Sequence, residues 1–382
     1  MKILVVHNAY TQPGGEDVVF HAEIALLEAH GHQVVRYTAD NHDLRDSARA
    51  SVAARTIWNG ASLRDVRALI RQTRPDLMHV HNTFPLISPT VYHAAQAEGV
   101  RVVQTLHNFR LICPNAMLRR AGHTCEECVG TSTRWPGVVH GCYRGSRAAT
   151  GVIAAMLTTH GVLGTWRHKI DRYIALSEFA KSKFVQDGWP EAKIVVKPNF
   201  VECEPPVRNA PGDYVLFVGR LSQEKGLSTL LRAMATMSHP PLLKIAGQGP
   251  LMDAGGPATR IEWLGQQTRE QTLALMCGAS MLIMPSEWYE GMPLTIVEAF
   301  AMGLPVITSR IGTMAEMVSH GLTGLLFPPG DANALADTIG WALAHPGEME
   351  AIAVRARQEF DCKYTPEHNY RRLMEIYHGA LS

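Results

Sequence analysis

Short apolar runs alternate with helical stretches along almost the entire chain, and this alternation constrains the fold more than any other feature. In the second half, strand-like runs fall at 214–219, 242–247, 260–265, 281–286, 305–309 and 323–327, with helical stretches opening near Gly226, Thr268, Pro293, Thr313 and Asp331. Apolar strands this short, alternating with helices of this length, are the pattern of a parallel sheet covered on both faces. The first half repeats the pattern less regularly, with runs at 2–7, 33–38, 77–81, 100–107, 173–177 and 193–196. The expected fold class is α/β: two Rossmann-like domains facing across a cleft, with ligands at the carboxyl ends of the strands.

A chain of 382 residues is long enough for two such cores. Residues 201–213 include Pro205, Pro206 and Pro211 and few apolar side chains, the composition of a linker. That sets the first domain at 1–200 and opens the second at 214, while a Cys-, Arg- and Gly-rich insertion at 108–150 interrupts the first. The formal net charge of +1 supplies no field for nucleic acid. Lys2-Ile3-Leu4-Val5-Val6-His7 reads as a strand and not as the basic and apolar regions of a signal peptide. The expected location is therefore the cytoplasm, where cysteines stay reduced. The most apolar stretch, 148–166, carries threonines, glycines and His160 and is expected to form a packed helix pair, not a membrane span.

The most informative stretch is Pro285-Ser286-Glu287-Trp288-Tyr289-Glu290-Gly291-Met292-Pro293-Leu294-Thr295-Ile296-Val297-Glu298. A strand ends, a turn follows, and Pro293 stands where a helix would begin. Its fixed φ suits the first helical position, and its missing N–H would be unpaired there in any case. The helix mouth, with free N–H groups and a positive dipole end, is a place for an anion. Glu290 precedes this helix and Glu298 lies inside it. Five helical residues rise roughly 7–8 Å, so the two carboxylates are expected about 10 Å apart. That separation excludes a shared-proton pair and suits gripping vicinal hydroxyls at two ends of one ligand, a sugar and a ribose.

Upstream, the run at 214–219 leads into Arg220-Leu221-Ser222-Gln223-Glu224-Lys225-Gly226. Two cations at a strand's carboxyl end can neutralise a diphosphate, the guanidinium as a fork and the ammonium as a point charge. Gly247-Gln248-Gly249-Pro250 is no dinucleotide fingerprint, because Met252 stands where the third glycine would fall, and hydride transfer loses support. Gly14 and Gly15 follow the first strand and precede a helix, where they either let the backbone approach a phosphate or simply make a tight turn. His107, at the end of the 100–107 run, would face the same cleft.

Together these residues resemble glycosyltransferase family 4, whose retaining enzymes have the GT-B fold. The resemblance rests on Gly14-Gly15, Thr105-Leu106-His107, Gly219-Arg220-Leu221 with Lys225-Gly226, and Ala246-Gly247 with Gly249-Pro250. It rests equally on Glu290-Gly291-Met292-Pro293-Leu294 with Glu298, Gly303 and Pro305-Val306, and Gly312, Glu316 and Gly324 extend it. It covers nearly the whole chain and is densest from 214 to 329. It implies an acceptor-side domain at 1–200, a nucleotide-sugar donor domain at 214–362, and a last segment, 363–382, that crosses back as a helix.

By position, the resemblance implies that Arg220 and Lys225 hold the donor diphosphate and stabilise the charge growing on it. Glu290, with the backbone at Gly291, Met292 and Leu294, would bind the donor sugar, and Glu298 the ribose. Gly14 and Gly15 would approach the diphosphate, and His107 would sit by the transferred sugar. Met292-Pro293 replaces the Phe-Gly of many members, and Pro293 offers no N–H. The implied reaction moves a hexose-type sugar, with retention, from a nucleoside-diphosphate sugar to a glycan, lipid-linked or small-molecule acceptor. The absence of an Asp-x-Asp motif fits charge stabilisation without a catalytic metal. A nucleotide-sugar epimerase of the same fold and a non-catalytic nucleotide-sugar-binding protein are the alternatives. A glycoside hydrolase acting through Glu290 and Glu298 is disfavoured by the cations beside them.

Cys113, Cys125, Cys128 and Cys142 lie in the insertion, with Cys125-Glu126-Glu127-Cys128 forming a Cys-x2-Cys knuckle. Four thiolates could close a structural zinc site; free thiols and a disulfide are the other readings, and all three stand at this point. Arg119, Arg120, Arg134, Arg144 and Arg147 make the insertion basic, which suits an anionic acceptor, a lipid headgroup surface at the inner face of the membrane, or plain solvent.

Overall fold

The computed structural model describes residues 1–11, 14–44, 48–201, 212–252 and 260–382. Most of the expected linker, at 202–211, lies outside the described residues. The chain forms two compact units: Met1–Leu118 with Cys125–Asn199 and Pro366–Ser382, and Arg119–Thr124 with Phe200–Thr365.

The first unit runs β1 (Lys2–Ala9), α1 (Gly15–Ala29), β2 (Gln33–Asp40), α2 (Arg49–Ile57), α3 (Gly60–Thr73), β3 (Leu77–Asn82), α4 (Thr90–Ala97) and β4 (Arg101–Leu106). The insertion follows, with the two-residue strands β5 (Arg119–Arg120) and β6 (His123–Thr124), which belong to the second unit, and α5 (Trp135–His140). Then come α6 (Arg147–Val162), α7 (Thr165–His168), β7 (Arg172–Ala175), α8 (Glu178–Gln186) and β8 (Ile194–Val196). The parallel sheet has the order β2-β1-β3-β4-β7-β8. Ile3, Leu4, Val5 and Val6 are all at most 1% exposed, which is why β1 reads as an unbroken apolar run: both faces of a parallel strand are covered. The last helix of the chain, here α15 (Pro366–Leu381), places Leu373, Ile376, Tyr377 and Ala380 in the same core as Ile3, Val5 and Phe20.

The second unit contains β9 (Tyr214–Val218), α9 (Leu227–Thr236), β10 (Leu242–Ala246), β11 (Ile261–Gly265), α10 (Arg269–Cys277), β12 (Ala279–Met284) and α11 (Leu294–Met302). It closes with β13 (Val306–Ser309), α12 (Gly312–Met317), β14 (Leu325–Phe327), α13 (Ala332–Ala344) and α14 (Pro346–Lys363). Its parallel sheet has the order β11-β10-β9-β12-β13-β14. Val215, Phe217, Leu243, Ile245, Met281 and Ile283 alternate along three neighbouring strands and share one buried cluster with Leu227 and Leu230 of α9 and Leu335 and Ile339 of α13.

All twelve expected strands are present, with ends shifted by one or two residues. The run at 281–286 stops at Met284, where Pro285 lacks the N–H that the ladder would need. The run at 100–107 stops at Leu106, so His107 lies just past the strand. Residues 148–166 form α6 and α7, and among the described residues no helix is long and apolar enough to cross a membrane.

Candidate functional site

Strand order reverses between β9 and β12 in the second unit, and at such a point the loops leaving two neighbouring strands diverge and open a crevice. The residues that follow β9 and β12 are the two motifs singled out above. Gly226 locks their loops together. It adopts φ +71, and a Cβ there would lie 1.8 Å from the carbonyl oxygen of Pro285, so only glycine fits. The Glu287 amide donates to the Glu224 carbonyl at 2.8 Å across the same seam. Gly247 and Gly249 do the equivalent for the next loop: an added Cβ would lie 1.9 Å from the Gly219 carbonyl oxygen and 2.3 Å from that of Leu221. This glycine pair thus serves backbone against backbone.

Three donors converge on one oxygen of Glu290. Lys225 Nζ lies at 2.7 Å from Oε1, Ser286 Oγ at 2.7 Å and Trp288 Nε1 at 2.8 Å. The Lys225 ammonium also stands 5.5 Å from the centre of the Trp288 ring, close enough for a cation–π contact. The second oxygen of Glu290 has no hydrogen-bond partner among the described residues and remains able to accept. Arg220 is paired with Glu224, which also accepts from Ser222 Oγ at 2.7 Å. Burial opposes the charge on Glu224, but the bonds from Ser222, its own backbone and Arg220 outweigh it and hold the carboxyl below its usual range. The Arg220 side chain is 58% exposed, so the guanidinium is anchored at one edge and open at the other.

Glu298 lies one to two turns into α11, 13% exposed, with Arg269 Nε at 3.5 Å. Burial raises its carboxyl above the usual range and Arg269 opposes that shift. Glu290 and Glu298 therefore have separate partners and share no proton. Pro293 is the residue before the first turn of α11, with φ −73, and no side chain caps the helix mouth. Met292 is buried against this corner, while Gly291 and Leu294 are half-buried.

In the first unit, Gly14 precedes α1 and its amide donates to Asp17 at 2.8 Å; Gly15 opens the helix. Asp17 accepts in turn from His7 Nε2 at 2.9 Å, and the His7 ring stacks on Phe20. His107 Nε2 shares a hydrogen bond of 2.9 Å with His81 Nδ1, ring on ring. Burial holds both imidazoles well below the usual histidine range, so both are neutral. Below them His79 bonds Tyr377 at 2.7 Å and Thr105 at 2.8 Å, and burial pushes it down to about 4. Lys197 Nζ reaches Glu23 at 3.2 Å and Asn369 at 3.1 Å in the same interior. Beside Gly15, Glu16 accepts from Tyr10 and from Asn108 at 3.1 Å each, and burial pushes it up to about 8.

No disulfide joins the four insertion cysteines. Cys113 donates to Asn115 Oδ1 at 2.9 Å, and burial, with Cys113 close by, pushes the Cys128 thiol up to about 12. Among the described residues, the group of three metal-type ligand atoms lying within 4.8 Å of one another is Glu23, His79 and His81, not a set of cysteines. Cys113 and Cys142 both lie near enough to Cys128 to raise its thiol further.

Sequence reasoning missed Ser286, Trp288 and Glu224, which lie within the quoted motifs without being given roles. It also missed His81, whose signal was its place at a strand end beside the strand that leads to His107.

Comparison with known proteins bears on the fold and the family. Over 98% of its length the chain superposes on Anabaena HepE solved with UDP, with a TM-score of 0.70 at 18% identity and 99% of that chain covered. It superposes equally on sucrose-phosphate synthase of Thermosynechococcus elongatus, with a TM-score of 0.72, 18% identity, and 99% and 98% coverage. These likenesses define the fold as GT-B. Residues 13–205 match Glycosyltransferase Family 4 and residues 204–359 match Glycosyl transferases group 1. The chain belongs to glycosyltransferase family 4. Among curated relatives, phosphatidyl-myo-inositol mannosyltransferase of Mycobacterium leprae is 32% identical over 194 residues, 47% of this chain and 51% of the relative. Glycogen synthase of Mycobacterium tuberculosis is 32% identical over 167 residues, 40% of this chain and 38% of the relative. The chain spans about half the length, or less, of the curated relatives named here.

Proposed function

We propose that the chain is a retaining glycosyltransferase that moves a hexose-type sugar from a nucleoside-diphosphate sugar to a glycan, lipid-linked or small-molecule acceptor in the cytoplasm. The observation that carries this reading is the convergence of Lys225, Ser286 and Trp288 on one oxygen of Glu290, at the point where strand order reverses. An ammonium and a half-open guanidinium supply positive charge for a diphosphate, and the uncommitted Glu290 oxygen supplies an acceptor for a sugar hydroxyl. HepE, of the same fold, has been solved with UDP and with UDP-glucose, which supports a nucleotide-sugar donor.

The donor's bond from anomeric carbon to phosphate oxygen breaks, and the electron pair stays with the diphosphate. Lys225, Arg220 and the uncapped mouth of α11 stabilise that charge, so the reading needs no catalytic metal. The acceptor hydroxyl bonds to the anomeric carbon on the face just vacated, and its proton passes to the departing phosphate oxygen. Glu290 orients the sugar, Glu298 holds the ribose, and the backbone at Gly291, Met292 and Leu294 supports both. Gly14, Gly15 and His107 keep the roles that the family resemblance implies, and residues 214–362 are the donor domain. Zinc at Cys113, Cys125, Cys128 and Cys142 would require those side chains to close in, and metal analysis of purified protein tests it.

A thermal-shift screen against UDP-, GDP- and dTDP-sugars tests the donor site. One nucleotide class should stabilise the protein, and Arg220→Ala and Lys225→Ala should each remove the shift. Glu290→Ala should abolish transfer while leaving nucleoside-diphosphate binding largely intact. Equal loss of both would contradict the role given to Glu290.

A further inference from the structure

Residues 128–170 contain no Asp or Glu, although the chain has 35 acidic residues in 382, so about four would fall in a stretch of this length by chance. This stretch holds α5, α6 and α7 and includes four arginines and Lys169. One face of α6 buries Ile153, Met156, Leu157 and His160. The opposite face, at about 100° per residue, presents Ala148, Val152, Ala155, Thr159 and Val162, of which Ala148, Ala155 and Val162 are exposed.

Helix α5 lies antiparallel beside that face. Arg147 Nε donates to the Val139 carbonyl at 3.0 Å, and Thr158 Oγ1 donates to the Ser132 carbonyl at 3.4 Å. Trp135 and Val139, one turn apart on α5, are 60% and 47% exposed; Val162 and Leu163, at the end of α6, are 84% and 46% exposed. A single exposed apolar side chain is ordinary, but four on two neighbouring helices with no acidic residue between them in sequence form a patch. Arginines frame it: Arg144 and Arg147 are exposed at one end of α6, and Arg167 beyond the other. Arg134 is not among them, because it is buried and paired with Asp187 at 2.6 Å.

We propose that α5 and α6 form an in-plane docking surface for an anionic bilayer. Trp135, Val139, Val162 and Leu163 enter the boundary between headgroups and acyl chains, and Arg144, Arg147 and Arg167 meet the lipid phosphates. The sixteen residues of α6 span about 24 Å, less than the roughly 30 Å hydrocarbon core, so the helix lies on the membrane and does not cross it. A protein partner would have to balance these three arginines with acids of its own; a bilayer needs only its headgroups, and it accepts an apolar face rimmed by arginine. This surface is independent of which sugar the chain transfers.

The test is cosedimentation of the full chain with vesicles of phosphatidylcholine alone and of an equal mixture with phosphatidylglycerol. The chain should partition onto the anionic vesicles at least tenfold more strongly, and less so as salt rises. Arg144→Ala combined with Arg147→Ala should weaken partitioning about 30-fold, at about 1 kcal/mol per neutralised charge. Trp135→Ala combined with Val162→Asp should abolish it, while thermal unfolding and the nucleotide-induced shift stay unchanged because these side chains are exposed. No difference between vesicle types, or binding that survives both double variants, overturns the proposal. A dimer that Val162→Asp dissociates, without vesicle binding, assigns the face to a second copy of the chain instead.

Discussion

At the points where strand order reverses, the two units solve different electrostatic problems. In the second unit, charge faces charge: Lys225 sits on Glu290 and Arg220 on Glu224, each pair with an edge open to an incoming ligand. In the first unit, the imidazoles of His79, His81 and His107 are neutral, and the ionic pair beneath them, Lys197 with Glu23, is only 1% exposed on each side. A cation with an exposed edge, as Arg220 has at 58%, can take on a phosphate at little cost, because water screens it in both states. A sealed pair cannot, because removing one partner strands the other in a low-dielectric interior. On the proposed reading the second unit supplies the charge that meets an anion, and the first surrounds its ligand with neutral donors and acceptors.

The largest expected effect tests that division directly. Lys225→Ala should lower kcat/KM about 10³-fold in steady-state transfer, as expected for loss of a cation at a charged leaving group, and His107→Ala should cost clearly less. Equal losses would place leaving-group charge in both units and break the comparison. Stability should show the reverse order. Lys197→Met leaves Glu23 buried without its ammonium and should cost about 3–5 kcal/mol in denaturant unfolding, whereas Arg220→Ala, at a 58% exposed side chain, should change stability by about 1 kcal/mol or less.

Two smaller effects sharpen the picture. Trp288→Phe keeps the ring beneath Lys225 but removes one donor from Glu290, and kcat/KM should fall about tenfold, the worth of one hydrogen bond to a charged group. Glu16→Gln should flatten the pH dependence of stability. Burial raises the folded carboxyl from 4.5 to about 8, so its contribution is fully present below 4.5 and is lost as pH rises through about 8. The wild-type protein should lose up to about 1 kcal/mol per pH unit in that window relative to the Gln variant, read from unfolding curves. An unchanged slope would show that Glu16 is already ionised in the folded protein.

Much of the fold was legible because buried parallel strands advertise themselves as unbroken apolar runs, as at 3–6 and 281–284. The site was half legible. Arg220, Lys225 and Glu290 could each be placed at a strand's carboxyl end, yet Lys225 and Glu290 are 65 residues apart and nothing local says that β9 and β12 are neighbours. Trp288 and Ser286 stood inside the quoted motif but follow no rule of spacing. Glu224 looked like a spacer between two cations and is the anchor of one of them.

Residue type and order alone determined that this chain makes two parallel-sheet units, where each strand would end to within one or two residues, and which corners carry charge, because apolar periodicity, proline and glycine act over a few residues. Only tertiary structure decided which corners meet. It brought His79 to Tyr377 across 298 residues and joined three donors on a single oxygen of Glu290. The physical reason is range: backbone preference is settled by near neighbours, whereas charge pairing and burial depend on which strands the whole sheet sets side by side.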